Sequence, residues 1–189
     1  MGMAAQLWVL NAGYVGDRVA STVALLRDGD TTVVVDPGMV ADRQQILGPL
    51  ADLGVDPDDV TDVIFSHHHP DHTINAALFR NARYHDHWAY YVDDQWVSRD
   101  AEGFALSDAI RLIRTPGHTA EDITTLVDTA DGLVALTHVW WHAEGPPKDP
   151  FATDGVALAA SRARVLALNP VLIVPGHGPA FTPDPTTPR

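Results

Sequence analysis

The residues best able to do chemistry in this chain lie in SHHHPDH, Ser66 to His72, where four histidines and an aspartate fall within seven residues. On an extended segment residues i and i+2 point the same way. His67 and His69 can therefore share one ion, while a turn at Pro70 swings Asp71 and His72 toward a second. Imidazole and carboxylate are donors that zinc accepts, and iron or manganese also tolerate them. Two further histidines sit in tight Pro-Gly turns after apolar runs, His118 in TPGHT and His177 in VPGHG. The competing reading, a solvated His-rich turn, accounts poorly for Asp71 inside the cluster and for the two outlying histidines. Alternation turns His68 to the opposite face, and His85 and His87 in YHDH read as ordinary strand histidines rather than an accessory site.

Composition narrows the chemistry further. The chain has 189 residues, enough for one substantial core, with 46% hydrophobic and 20% charged residues, as in ordinary globular proteins. It has no cysteine, so any transition metal is held by histidine and carboxylate. A net charge of −13 argues against a nucleic-acid partner, because phosphate binding needs clustered Lys and Arg. No apolar run is long enough to cross a bilayer, so no membrane partner is expected. MGMAAQLWVL lacks the basic start and cleavage pattern of a secretion signal, which points to the cytoplasm.

The elements that must position these side chains are legible as runs. LWVLNAGY, VASTVALLRDG and TTVVVDPG read as an antiparallel meander with Asp28-Gly29 as a hairpin turn. Ile46, Leu50 and Leu53 recur at helical spacing between Ala41 and Leu53, with Gly54 as the C-terminal cap and Gly48-Pro49 expected to kink the helix or delay its start. Val60 to Phe65 reads as a buried strand that runs straight into the histidines. A helix at Thr73 to Phe79, a strand at ARYHDH and an aromatic loop, WAYYVDDQW, follow. Strands are expected at Phe104–Leu106, Ile110–Ile113, Ile123–Val127 and Leu133–Leu136. A helix then runs from Asp154 to Leu168, capped by Thr153 or Asp154 and stopped by Asn169-Pro170, before VLIVPGHG closes with a strand and turn. The succession of strands, helix, strands, helix implies two similar halves packed face to face in a single domain over 1–182, with a frayed Pro-rich tail at 183–189.

HHHPDH resembles the H-x-H-x-D-H signature of the metallo-β-lactamase superfamily, and TPGHT and VPGHG resemble the motifs that carry its later ligands. The resemblance covers essentially the whole chain, including VVVDPG. It implies an α/β fold, an αβ/βα four-layer sandwich with a metal site at the sheet edges. Carried over, His67, His69 and His118 would hold a first ion, and Asp71, His72 and His177 a second. Asp36 in VVVDPG would orient a ligand histidine, a support that metal sites regularly need. The C-terminal SRARVLALNPVLIVPGHGPAF is similar to small members known as metallo-β-lactamase-domain proteins, one group of which is linked to RNA processing.

At one place the chain departs from this pattern. Family members usually carry a Gly-Asp pair after the strand that follows the third motif, and its Asp bridges two ions. GLVALTHVWW puts Thr137-His138 there. A neutral imidazole offers one lone pair and cannot bridge two ions as a carboxylate does. Either His138 binds one ion or the site holds a single ion; the plainer reading is that it fills space beside the site. Trp140, Trp141 and His142, and separately Trp88, Tyr90, Tyr91 and Trp96, are candidates for the pocket walls.

The resemblance implies a hydrolase with one or two zinc ions, iron or manganese being alternatives. A metal-bound hydroxide would attack a small ester, thioester or lactone, with Asp71 or an imidazole handling the proton. Three other readings are an RNA phosphodiesterase, opposed by the charge, an iron-dependent oxidoreductase, and a metal-binding protein with catalysis impaired by His138.

Overall fold

A computed structural model describes residues 4–189; the first three residues of the expected domain lie outside the described part. Seven strands form one sheet in sequence order: β1 (Gln6–Asn11), β2 (Val23–Asp28), β3 (Thr31–Val35), β4 (Asp62–Ile64), β5 (Arg83–His85), β6 (Ala89–Val92) and β7 (Gln95–Ser98). Four more, β8 (Ile110–Arg114), β9 (Ile123–Thr129), β10 (Gly132–Thr137) and β11 (Leu172–Pro175), form a second sheet in the order β11-β10-β9-β8. The parallel pairs are β3 with β4, β4 with β5, and β10 with β11. Helix α1 (Gln44–Asp52) covers the first sheet, α2 (Pro70–Thr73) is a single turn after β4, and α3 (Gly155–Ala167) covers the second sheet.

Strand alternation builds the layers. On β2, Ala24 and Leu26 face the second sheet and pack with Ile110, Leu112, Val127, Val134 and Leu136. Val23 and Leu25 face the other way, onto Ile46 and Leu50 of α1. Leu158 and Val165 of α3 cover Leu126, Ala135 and Ile173 on the far face of the second sheet. Three apolar interfaces between helix, sheet, sheet and helix make the four-layer sandwich. Each fully buried Leu, Ile or Val contributes roughly 1.5–3 kcal/mol to holding it together. Among the described residues no helix is long and apolar enough to cross a membrane.

Several elements differ from their sequence reading. Helix α1 starts only at Gln44 and carries Pro49 inside it, so the Gly48-Pro49 pair neither sets the start nor breaks the helix. The helix expected at Thr73–Phe79 is a 3-10 segment, Ile74–Leu78, after the single turn of α2. Phe104–Leu106 is no strand and makes only an isolated bridge, Ala105 to Arg111. WAYYVDDQW is no loop but the β6–β7 hairpin, with Tyr91 opposite Trp96. Asp93 and Asp94 turn it at φ 48° and 60°, the left-handed region that this turn requires and that Asp tolerates. The tail expected to fray is docked: Trp140 Nε1 donates to Pro188 O at 2.8 Å, and Thr187 is buried.

Helix α3 fixes the turn that carries His118. Asp154 caps it by accepting from Val156 N and Ala157 N, each at 2.9 Å, and Ser161 Oγ donates to Pro116 O at 2.7 Å. Gly117 lies so close to the helix that a Cβ there would be 2.3 Å from Leu158 Cα. Backbone cannot yield as a side-chain tip can. Gly117→Ala is therefore expected to destabilise the protein by roughly 3 kcal/mol or more, read from the urea midpoint. An unchanged midpoint would show that the helix and turn separate freely.

Candidate metal centre

Five strand ends converge on one rim. Asp36 follows β3, the stretch Ser66–His72 follows β4, His118 lies beyond β8, His138 directly follows β10, and His177 follows β11. In the first family set, His118 Nε2 is 3.1 Å from His69 Nδ1, and His67, His69 and His118 each offer a donor atom within 4.8 Å of the others. In the second, Asp71 Oδ2 is 3.5 Å from His72 Nε2 and 3.6 Å from His177 Nε2. His138 stands between the sets, its ring centroid 4.3 Å from that of His118 and 4.4 Å from that of His67. Its Nε2 is 3.3 Å from His177 Nε2. All seven sequence-identified residues thus meet at one place.

The outward ring nitrogens are held by the surrounding chain. His72 Nδ1 lies 2.8 Å from Asp36 Oδ2, His118 Nδ1 lies 2.7 Å from Asp149 Oδ2, and His177 Nδ1 donates to Ala20 O at 2.9 Å. His67 Nδ1 is 3.1 Å from Ser66 Oγ. When Nδ1 carries the proton, the Nε2 lone pair faces inward, the orientation a ligand needs. Asp36 also accepts from Ser66 N at 2.7 Å, so one carboxylate fixes both the start of the histidine stretch and its last ring.

Four of these imidazoles are shifted toward the neutral form that a ligand needs. Burial first, and the crowd of other imidazoles second, push His67 and His138 well below the usual histidine range and keep both neutral. His69 and His177 are also lowered, chiefly by burial. On His72 burial acts in the same direction, but the adjacent Asp36 outweighs it and raises the pKa. Burial lifts Asp122, 3.9 Å from His67 Nδ1, to about 6. A cation fits this donor set: His67 Nε2, His72 Nε2 and His138 Nδ1 are buried without any hydrogen-bond partner. Buried polar atoms rarely stay so unless a ligand completes them.

The remaining histidines lie apart from the centre. His68 turns away to Asp86 Oδ2 at 3.0 Å, and His85 Nε2 is tied to Asp62 at 2.7 Å. His87 joins no cluster of potential ligands among the described residues. Beside the centre a cleft of about 380 Å³ is lined by Val15, Val19, Trp141 and Phe151, together with His69, Asp71, His118, His138 and His177. Of the aromatic residues considered for its walls only Trp141 is there; Trp140 is in the core, and Trp88 and Trp96 are exposed elsewhere. The sequence reading missed Phe151, Val15 and Val19, as well as Asp149 and Asp122. No motif marks any of these five.

Comparison with known proteins accords with this geometry. The sequence model of the metallo-beta-lactamase superfamily matches residues 16–147. The chain belongs to the metallo-beta-lactamase superfamily. Within the superfamily, metallo-beta-lactamase domain-containing protein 1 of Xenopus laevis is 34% identical over 187 residues, spanning 92% of this chain and 79% of the relative. A Thermotoga maritima crystal structure named for the metallo-beta-lactamases superposes with a TM-score of 0.76 at 24% identity, covering 95% of this chain and 100% of that one. An N-acyl homoserine lactone hydrolase, solved with N-hexanoyl-L-homoserine at its catalytic metal centre, superposes with a TM-score of 0.66 at 19% identity over 93% of each chain. These superpositions establish the metallo-beta-lactamase fold.

Proposed function

We propose that this chain is a metal-dependent hydrolase of small, neutral acyl compounds: esters, thioesters or lactones. The observation that carries the reading is the junction of a histidine-rich donor cluster with an apolar cleft whose lining holds no Lys or Arg. A phosphate or carboxylate substrate would find no cation of the protein there, whereas an acyl chain finds Val15, Val19, Trp141 and Phe151. A bound divalent ion, zinc by the donor set and iron or manganese as alternatives, supplies Lewis acidity at the acyl oxygen and lowers the pKa of water at the site. His67, His69, Asp71, His72, His118, His138 and His177 are the proposed ligands.

The chain's own residues supply the rest. The Asp71 carboxylate borders the cleft and is placed to take the proton that an attacking water gives up. Trp141 and Phe151 stack at 5.8 Å with 13° between their planes and form a flat wall for the acyl group. Trp141 Nε1 donates to Asp149 Oδ2 at 3.1 Å, the oxygen that also holds His118, so wall and ligand share one anchor. The lactone hydrolase of the same fold supports an acyl substrate.

The test uses 4-nitrophenyl acetate and hexanoate together with N-hexanoyl homoserine lactone. Hydrolysis is expected to vanish after dialysis against a chelator, to return with zinc, and to fall at least about 10³-fold in His67→Ala. Phe151→Ala is expected to slow the hexanoyl ester more than the acetyl ester. Turnover that survives both chelation and His67→Ala would sink the proposal. Copurifying iron with dioxygen consumption would favour the oxidoreductase reading. Sub-micromolar, salt-sensitive binding of a single-stranded oligonucleotide would favour the RNA reading, against the −13 charge.

A further inference from the structure

We infer that His67, His72 and His138 form a third ion position, made of imidazole alone, whose occupation limits the centre to one ion per chain. The three residues each offer a ring nitrogen within 4.8 Å of the other two. All three are almost fully buried, at 1%, 0% and 3% exposure. Each also carries a buried ring nitrogen with no partner, His67 Nε2, His72 Nε2 and His138 Nδ1. One unpartnered nitrogen on every member of a single triad is what a shared cation would satisfy. The position is built rather than accidental. His138 rests on bare backbone at Gly176, where a Cβ would be only 2.1 Å from His138 Cδ2, and the outer nitrogens of His67 and His72 are fixed by Ser66 and Asp36.

The limit to one ion follows from sharing. His67 also belongs to the set with His69 and His118, and His72 to the set with Asp71 and His177. Each inward nitrogen has one lone pair and serves one ion. When the central position is filled, each flanking set keeps two ligands, too few to hold an ion tightly. Three neutral imidazoles without a carboxylate suit zinc, copper or nickel and disfavour magnesium, calcium and manganese, which prefer oxygen. The inference rests on reading the cluster as a metal centre and not on the reaction assigned to it.

Titration of the metal-free protein with zinc, in competition with a chromophoric chelator, tests it. The wild type is expected to bind one tight ion. His69→Ala is expected to leave that ion within a few-fold, while His138→Ala, which frees His67 and His72 for the flanking sets, is expected to make zinc binding newly dependent on His69. Two equally tight ions in the wild type, or an ion lost in His69→Ala with His138 in place, overturns the inference. Should His138→Ala fail to fold, anomalous diffraction from zinc-soaked wild-type crystals decides. A peak within about 2.3 Å of a His138 nitrogen supports the central position, and peaks touching only the flanking sets overturn it. Ester hydrolysis with zinc on the flanking sets removes this inference and leaves the hydrolase; a single ion on His138 without hydrolysis does the reverse.

Discussion

Asp36→Asn, which exchanges one oxygen for an amide nitrogen, is expected to leave the fold in place and to weaken zinc by about 10- to 100-fold. Asp36 sits at φ 48°, a left-handed conformation that Asn accepts as readily as Asp, so the exchange adds no backbone strain. Its two oxygens have separate duties, Oδ1 accepting from Ser66 N at 2.7 Å and Oδ2 meeting His72 Nδ1 at 2.8 Å. An amide cannot perform both. With the carbonyl toward Ser66, the NH₂ faces His72 Nδ1, which must then give up its proton. The proton moves to Nε2 and blocks the lone pair that faces Asp71. With the amide flipped, two donors meet at Ser66 N–H, a buried mismatch costing about 1–3 kcal/mol. Either way the centre loses a ligand or the strand end loses its anchor. Zinc affinity by chelator competition, beside the melting temperature of the metal-free protein, separates the outcomes. Undiminished affinity would show that Asp36 does not set the His72 tautomer.

The sequence displayed the inner face of this centre and concealed its outer face, for a physical reason. His67, His69, Asp71, His72, His118 and His177 sit in short motifs at strand ends, where backbone geometry alone turns side chains to the rim. Asp36 was legible through the resemblance, which extends to VVVDPG. Asp149 and Ala20 are different: they meet His118 and His177 across 31 and 157 residues of chain. Such contacts depend on how the sheets close, which no local pattern encodes. Two halves packed face to face were legible from the succession of strands, helix, strands, helix, and the four-layer sandwich from the resemblance of the histidine motifs. The β6–β7 hairpin escaped notice because its turn is Asp93-Asp94, without the Gly that usually marks left-handed turn positions. Phe104–Leu106 was read as a strand from its apolar residues, but Phe104 and Leu106 pack on the core from an irregular segment held by a single bridge. The aromatic residues misled as pocket walls because a Trp in sequence looks alike whether it faces core, cleft or water.

His138→Asp should raise the metal content from one ion toward two. Two dications about 4 Å apart repel by on the order of 16 kcal/mol at an effective dielectric of 20, since each unit pair contributes about 4. A carboxylate between them attracts both, and its two oxygens can touch both; a neutral ring offers neither. The exchange also makes room. The His138 ring fills the space against Gly176, and the shorter Asp leaves that space to the ions. His67 and His72, released from the central position, are free to complete the flanking sets with His69, His118, Asp71 and His177. Hydrolysis of the 4-nitrophenyl esters is expected to rise by about tenfold or more, the equivalent of roughly 1.4 kcal/mol of added stabilisation in the transition state. Without metal the same carboxylate lies buried among neutral imidazoles and costs stability, so the melting temperature should fall below wild type in chelator and recover on adding zinc. Metal content by elemental analysis, activity and the two melting temperatures form one set of measurements. If all stay at the wild-type values, His138 merely packs beside the centre, and the departure at Thr137-His138 has no bearing on the metal.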